Sequence, residues 1–217
     1  MYIPSAFQET RVQVMHDLIR SHPLGWLVTA GPGGLSASPV PFLVYPEEGP
    51  NGTLRAHLAR NNAHWRDLQA ATECMALFQG EQGYITPNWY PNKQVTGKVV
   101  PTWNYIAVQA WGQPVVTEDP GWLRRLLEDL TSTQERSRLR PWAVGDAPAD
   151  FIAKQMEAII GVEIPIARIE GKWKLSQNRE PADRQGVVAG LADPSDPHGN
   201  QALADLVEER RREGGAG

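Results

Sequence analysis

Two short segments place hydrogen-bond donors beside large flat side chains. The first is Thr102–Tyr105, which follows Val99-Val100-Pro101, and the second is Lys174–Arg179. Together they offer amide, hydroxyl and cationic groups next to aromatic rings. A planar ligand with polar edges and a phosphate group needs this mixture. The pairing of the two segments is therefore the most informative clue to function in the chain.

A third segment, His57–Asn62, runs from a strand into a helix start. Arg60 can bind phosphate through its planar guanidinium, and the free N–H groups of a helix start attract anions. A helix capped by Asn61 or Asn62, with a surface arginine beside it, explains the same residues equally well. A lone strand histidine such as His57 is more often structural than ligand-binding.

Aromatic residues concentrate in Gly83–Tyr90 and Val100–Tyr105, on either side of a loop that contains Lys93 and Lys98. Strand aromatics usually pack in a core, but Trp and Tyr beside Asn and Thr also suit a stacked ring with a polar edge. A subunit interface would use the same residue types. The last two interpretations are compatible if the ligand lies at an interface.

Composition excludes several classes of protein. The 217 residues carry a formal net charge of -4, with 41% hydrophobic and 21% charged residues. This balance argues against attraction of the whole surface to nucleic acid or anionic lipid. Cys74 is the single cysteine, so an internal disulfide is excluded, and the histidines lack metal-ligand spacing.

Residues 21–46 hold no charged side chain, so a membrane span must be considered. The same stretch contains five prolines and four glycines, which suit a β-hairpin and make a spanning helix implausible. The start of the chain, Met1–Pro4, lacks the basic and apolar regions of a signal peptide. We therefore expect a cytoplasmic protein with no membrane contact.

Hydrophobic periodicity predicts many short strands followed by helices, which indicates an α+β protein built on a small barrel. The predicted strands are 26–30, 35–45, 53–59, 74–79, 83–86, 98–109, 111–116 and 162–169. The predicted helices are 9–20, a short one after Asn62, one opened by Asp119-Pro120, 148–159 and 180–191. Pro39 and Pro41 lack N–H groups on the same side of their strand, which indicates either a sheet edge or an opening where something other than a neighbouring strand docks.

The composition changes after Gly190. Asp193–Pro197 is typical of a linker, residues 202–213 of a charged helix, and we expect residues 214–217 to be disordered. We predict a single domain over residues 1–191, with helical additions, and a linker with a charged, partly disordered tail over residues 192–217.

The chain resembles the PaiB family, described as FMN-binding negative transcriptional regulators, over roughly residues 1–191. The resemblance rests on Met1–Pro4, Pro41-Phe42, His57–Arg60, Asn62, Trp65, Tyr84-Ile85, Trp89-Tyr90, Val100–Tyr105, Gly161 and Lys174–Arg179. That family is similar to the split β-barrel flavoproteins related to pyridoxamine phosphate oxidase, which bind FMN between two protomers. The resemblance implies an FMN-binding split β-barrel with flanking helices, and a homodimer with FMN at its interface.

The resemblance also implies a set of cofactor-binding residues. Arg60, Asn61, Asn62 and, with less support, Lys93 would hold the phosphate. Ser38, His57 and Ala59 would line the edge of the isoalloxazine ring. Trp103, Asn104, Gln177 and Asn178, contributed by the partner chain, would close the site. Lys174 or Arg179 would place a cation near the reduced flavin.

The sequence departs from the family at three positions where histidine is usual: Pro39, Gln109 and Gln134. We therefore expect FMN binding more firmly than catalysis, and we assign no catalytic residue. Three functions stay open: an FMN-binding regulator with redox activity, a flavin oxidoreductase without a DNA role, and a haem-binding split barrel with His57 as ligand. Direct DNA binding lacks a helix-turn-helix signature, and Arg210–Arg212 is offset by neighbouring glutamates.

Overall fold

The computed structural model describes residues 1–213 of the chain, so the disorder that we expect for residues 214–217 lies outside the described residues. The chain forms two compact units. Unit 1 consists of Met1–Arg11, Gln79–Val108 and the chain from Glu170 onward, and unit 2 consists of Val12–Phe78 and Gln109–Ile169. The predicted division between residues 191 and 192 follows a different line and stays a prediction.

The strands are β1 Gln8–Glu9, β2 Leu24–Gly31, β3 Gly34–Pro41, β4 Leu43–Tyr45, β5 Thr53–Ala59, β6 Cys74–Ile85, β7 Thr102–Gly112, β8 Val115–Thr117, β9 Ile159–Pro165 and β10 Arg168–Lys174. The α-helices are α1 Val12–Ser21, α2 His64–Ala70, α3 Asn92–Thr96, α4 Pro120–Glu135, α5 Ala149–Glu157, α6 Pro181–Ala192 and α7 Gln201–Glu213. Short 3₁₀ turns occupy Ser5–Phe7, Pro87–Trp89 and Val144–Asp146. None of the helices within residues 1–213 is long and apolar enough to cross a membrane.

Unit 2 contains a four-stranded antiparallel sheet in the order β4-β5-β9-β8. A second sheet pairs β2 with β3 on one side and with the first residues of β6 on the other. Buried side chains alternate along β2 and β5, as the period of a half-buried strand requires. Leu27, Leu54 and Ile160 are among the fully buried members of this core, and Phe42 packs edge-on against Phe78.

The outer face of the β2–β3 hairpin is apolar throughout. Residues that pair across an antiparallel ladder share a face, and four consecutive same-face pairs contain only apolar side chains. These pairs are Leu24–Pro41, Trp26–Pro39, Val28–Ala37 and Ala30–Leu35. Leu24 is 64% exposed, Trp26 50% and Leu35 83%. We call these eight residues the apolar hairpin face.

Unit 1 contains strands in the order β1-β10-β7-β6 and the helix pair α6 and α7. Leu203, Ala204 and Val207 are buried along one side of α7, so this helix packs through a narrow apolar stripe. Gly83 allows the close approach of Leu203, because a Cβ there would lie 2.9 Å from its Cδ2 atom. The charged C-terminal helix is thus an integral part of unit 1.

Several predicted boundaries are wrong for identifiable reasons. The predicted strand 35–45 is interrupted at Phe42, whose N–H donates to the Pro23 carbonyl. The predicted strands 74–79 and 83–86 are one strand, β6, because Gly80 and Gly83 do not break it. Strand β10 was absent from the prediction, because its alternating charged residues and Gly171 hide the hydrophobic pattern. The predicted edge is confirmed, since β3 ends its sheet.

A buried carboxylate joins the two ends of the chain in unit 1. The Glu9 side chain is 2% exposed and accepts hydrogen bonds from Arg11 at 2.7 Å and Arg210 at 3.1 Å. Burial alone would raise the pKa of the Glu9 carboxyl, but the bonds from Arg11 and the charge of Arg210 outweigh it, so the pKa is lowered. Folding therefore favours the ionised form of the Glu9 carboxyl group.

We predict that Glu9→Gln lowers the free energy of unfolding by about 2 kcal/mol at pH 7, since it removes charge-assisted hydrogen bonds. Because the folded pKa is lowered, this contribution is present above the unfolded carboxyl pKa and is lost as the pH falls through the folded pKa. Urea unfolding at pH 7 and at pH 3 measures both effects. The exposed Glu47→Gln serves as control, and an equal loss for both variants would contradict the assignment.

Candidate functional site

The predicted cofactor-binding residues fall into two groups, one in each unit. Ser38, His57, Ala59, Arg60, Asn61 and Asn62 belong to unit 2. Lys93, Trp103, Asn104, Lys174, Gln177, Asn178 and Arg179 belong to unit 1. Each group is described by itself.

In unit 1, the two segments that the sequence pairs do lie together. The fully buried Asn104 amide donates to the Ser176 hydroxyl at 2.9 Å, and this hydroxyl donates back to the amide oxygen at 3.2 Å. Ser176 is the only non-glycine residue with positive φ, at 63°, in the described chain. Such a conformation costs about 1 kcal/mol or more, and the buried pair holds it in place.

Lys174 makes a second connection between these segments. Its ammonium group donates to the Thr102 hydroxyl at 2.6 Å and to the Trp103 carbonyl. Burial lowers the pKa of Lys174, and the neighbouring positive charges of Lys172 and Arg179 lower it further. Three cationic side chains thus lie near the start of β7. Three hydrogen-bonded pairs therefore connect the two segments, and we call them together the β7–β10 lock. They are Asn104–Ser176, Lys174–Thr102 and Lys174–Trp103.

One large aromatic ring beside the lock, that of Trp103, is exposed to solvent. Trp103 is 52% exposed, and its ring lies edge-on to Tyr84 with centroids 6.2 Å apart. Trp103 and Tyr84 also line a shallow, widely open cavity of about 530 Å³ on the surface of unit 1. The other lining residues are Gln82, Gly83, His198, Gly199 and Asn200.

The remaining predicted residues of unit 1 have different surroundings. The Gln177 side chain turns back onto its own loop, where its oxygen accepts from the Leu175 N–H at 2.7 Å. Asn178 is exposed, and Arg179 lies over the Tyr90 ring at 4.9 Å. Lys93 lies on α3 and donates to Asn88 at 2.6 Å. Gln177 therefore shapes the loop rather than presenting its amide.

In unit 2, Ser38 and Asn62 form a polar cluster with His64, a residue that the sequence interpretation missed. Asn62 donates to the Ser38 hydroxyl at 3.1 Å and caps the His64 N–H at 3.1 Å through its side-chain oxygen. The Ser38 hydroxyl also bonds Nδ1 of His64 at 2.9 Å. An Asn two residues before a helical residue is an Asx turn, and this signal could have identified the position.

The hydrogen bonds of the cluster favour one tautomer of the His64 ring. The Ser38 hydroxyl accepts from Asn62, and it can donate its own hydrogen to Nδ1 of His64, which satisfies the hydroxyl fully. Nδ1 is then an acceptor, so the hydrogen of the neutral ring lies on Nε2. Burial lowers the pKa of His64, with Asp67 opposing, so the neutral ring is favoured. Nε2 is buried and has no hydrogen-bond partner within residues 1–213. It is therefore a donor that a ligand or water must satisfy.

His57 provides another buried nitrogen without a protein partner. It pairs with Gly161 across β5 and β9, and burial lowers its pKa. Its Nδ1 atom has no hydrogen-bond partner in the described part of the chain. Gly161 cannot be enlarged here, because a Cβ would lie 2.3 Å from the Trp122 ring.

Arg60 is already engaged by protein groups. Its guanidinium donates to Glu118 at 2.5 Å and to the carbonyl of Glu157 at 2.6 Å. Its own carbonyl accepts from the Trp65 indole at 2.9 Å. A phosphate at Arg60 would thus have to replace the Glu118 carboxylate, which is 57% exposed. Asn61 and Ala59 are exposed beside it.

The donor sets of both units fit a phosphorylated planar group. Unit 2 supplies an unpaired buried donor at His64 and an arginine whose carboxylate partner is exposed. Unit 1 supplies an open indole ring and a cluster of cations. Each of these two sets, taken by itself, has features found in sites for flat or anionic ligands.

Comparison with known proteins gives the class a name. Residues 1–168 match the family described as "Putative FMN-binding domain", and the chain belongs to this family. The resemblance to the PaiB family is confirmed, and so is FMN as the cofactor of the family.

Relatives match over almost the whole chain. An uncharacterized protein of Emericella nidulans is 34% identical, over 97% of each chain. The protease synthase and sporulation protein PAI 2 of Bacillus subtilis is 29% identical, over 97% of this chain and 98% of its own.

A solved structure supports the fold. The FAD and heme binding protein of Mycobacterium smegmatis is 17% identical, with a TM-score of 0.55, over 77% of this chain and 73% of its own. This likeness concerns the fold alone. The predicted fold class, an α+β split β-barrel of the pyridoxamine phosphate oxidase type, is confirmed.

We predict that Asn104→Ala and Ser176→Ala each lower the free energy of unfolding by about 2 kcal/mol, because each leaves a buried polar group unpaired. The double variant should lose much less than the sum, since both residues serve one interaction. Urea unfolding of the four proteins measures the coupling. The exposed Asn178→Ala is the control, and strictly additive losses would show that the pair is not coupled.

Proposed function

We propose that this protein binds FMN as a homodimer and uses it in a redox reaction. The β7–β10 lock is the observation that carries the proposal, because it holds Trp103 open beside Lys174 at a fixed geometry. When bound, FMN supplies a ring that accepts a hydride and a phosphate that anchors it. A cytoplasmic location is part of the proposal.

Different residues serve the ring and the phosphate. Ser38, Asn62 and His64 form a fixed polar cluster, and we assign its unpaired Nε2 donor to an acceptor atom of the cofactor. Arg60 and Asn61 would bind the phosphate after Glu118 is displaced, with Lys93 as a further cation. His57 and Ala59 would line the ring edge, and the partner protomer would contribute Trp103 and Asn178. Asn104 and Gln177 would hold that part of the partner in shape, since the Asn104 amide is buried against Ser176 and the Gln177 amide is bound to its own loop.

Positive charge near the lock suits a flavin that gains electrons. Lys174 has a lowered pKa, because burial and neighbouring cations both disfavour its charged form. A negative charge that develops nearby would reverse this effect and stabilise the ammonium group. Lys174 and Arg179 would therefore favour the anionic reduced form of the ring over the oxidised one.

The apolar hairpin face supports the homodimer. Monomeric proteins rarely expose a continuous apolar patch of more than a few hundred Å². The face combines Trp26, Leu24 and Leu35 with two prolines and no polar side chain, as the buried core of a subunit interface would. A second copy of the chain presents the same face, which makes a two-fold interface self-complementary.

A regulatory role through direct DNA binding has less support. The arginines at the end of α7 are all paired with glutamates: Arg210 with Glu9 and Glu213, and Arg211 and Arg212 with Glu208. A regulatory role would therefore use another surface or a partner protein. Haem ligation by His57 would use its neutral ring, and a Soret band that survives His57→Ala would exclude that ligation.

We predict that the purified protein shows flavin absorbance, or gains it on titration with FMN. Arg60→Ala should weaken FMN binding about 10- to 100-fold, the equivalent of one charge-assisted phosphate contact. Glu118→Gln should strengthen binding a few-fold, because the competing carboxylate is removed. Equilibrium titration followed by flavin fluorescence measures all three.

Arg66→Ala is a matched control, since Arg66 is exposed and lies over the Trp65 ring. If the wild-type protein takes up no FMN, the proposed function is wrong. If Arg60→Ala and Arg66→Ala bind FMN equally well, Arg60 does not hold the phosphate.

We also predict that Trp26→Glu converts the dimer to a monomer, because a buried unpaired charge at an interface costs several kcal/mol. Sedimentation equilibrium gives the mass, and circular dichroism checks the fold. Trp142→Glu is the control, since Trp142 is 46% exposed elsewhere in the chain. A Trp26→Glu variant that stays dimeric would place the interface on another face.

A further inference from the structure

The cavity of unit 1 has a wall that the proposed flavin site does not use. Tyr84 and Trp103 come from β6 and β7, but His198, Gly199 and Asn200 come from the segment between α6 and α7. This segment lies outside residues 1–168, the part of the chain that matches the family. It contributes three of the seven residues that line a cavity of about 530 Å³, and none of the three belongs to the proposed flavin site.

A series of turns holds this segment in place. The Asp196 carboxylate accepts from the His198 N–H at 2.8 Å through one oxygen and from the Trp89 indole at 3.1 Å through the other. Gly199 donates to the Asp196 carbonyl at 2.9 Å, and Asn200 donates to the Leu191 carbonyl at 2.7 Å. Hydrogen bonds thus fix the backbone on both sides of His198. A simple exposed linker would not need such bonds.

These turns place the His198 ring against an aromatic cluster. The imidazole lies 4.9 Å from the Tyr84 ring, tilted by 53°, and Tyr84 in turn meets Trp103 edge-on. His198 stays exposed to solvent although its backbone is fixed. Three rings on the walls of one cavity provide stacking and edge contacts for a flat ligand.

Polar groups at the rim narrow the class of ligand. Gln82 brings an exposed side-chain amide, Tyr84 a hydroxyl and His198 two ring nitrogens. This set offers both donors and acceptors, and it carries no acidic or strongly basic side chain. A planar nitrogen heterocycle with an amide-like edge matches such a lining better than an alkyl chain or a phosphate does.

We propose that this cavity is a second ligand site, which binds a planar heteroaromatic ring bearing an amide-like edge while FMN is bound. The proposal rests on the proposed function in one respect, since Trp103 is shared with the flavin site. His198 is a ligand-contacting residue of this site, and Asp196 is a positioning residue that acts through the backbone of His198.

Nicotinamide is a suitable probe, because it is small and planar and carries one amide. Cyclohexanecarboxamide carries the same amide on a saturated ring and is the matched control ligand. Both are titrated into the FMN-loaded protein by calorimetry, and the FMN dissociation constant is measured separately for each variant. We expect nicotinamide to bind at least tenfold more tightly than cyclohexanecarboxamide.

The variants His198→Ala and His198→Phe separate stacking from a general loss of structure. We expect His198→Ala to weaken nicotinamide binding about tenfold and His198→Phe, which keeps a flat ring, to restore it to within about threefold. FMN affinity should stay unchanged in both. Leu139→Ala, fully exposed in unit 2, should behave like the wild type.

Three results would overturn the proposal: equal binding of the two amides, equal binding by wild type and His198→Ala, or nicotinamide binding that FMN abolishes. The last result would make the cavity part of the flavin site. Failure of FMN binding is recorded independently, and the nicotinamide titration is then repeated on the flavin-free protein. The two proposals can therefore fail separately.

Discussion

The need to satisfy one buried amide organises the side of unit 1 where we propose that the ligand binds. Asn104 is fully buried, so its amide would cost about 1–3 kcal/mol if it were unpaired. Ser176 satisfies it only by adopting a positive φ, which turns the chain sharply just after β10. Pairing of β10 with β7 places Lys174 against Thr102, and alternation along β7 leaves Trp103 facing outward while Asn104 faces inward. The exposed ring and the nearby cations thus lie beside a single buried contact, which ties the loop after β10 to β7.

The sequence predicts what depends on neighbours along the chain and misses what depends on distant partners. Alternation and turn residues placed β5 correctly at residues 53–59, and the mixed donor-aromatic pattern paired residues 102–105 with 174–179. No local signal could show that Glu118 forms a salt bridge with Arg60, because the two residues are far apart in the chain. The unpaired His64 nitrogen likewise emerges only from three-dimensional burial.

The two faces of β3 illustrate how one strand serves two purposes. Ser36 and Ser38 point inward, where they bond Asp67 and His64 of α2. The alternate residues Ala37, Pro39 and Pro41 point outward onto the apolar hairpin face. A shift of one residue in register would exchange these faces and destroy both. The polar cluster and the proposed interface are therefore fixed by the same pairing with β2.

Pro39 stands where the resemblance to the family leads us to expect histidine, and this arrangement gives the proline a physical meaning. Pro39 pairs with Trp26 on the apolar face, where an imidazole would add polar atoms that an interface must desolvate. Proline has no N–H to donate, so Pro39 and Pro41 also remove donors from the free edge of β3. A partner can then join this hairpin through its face but not by extending its sheet. The same substitution that weakens the case for proton transfer thus favours a face-to-face dimer.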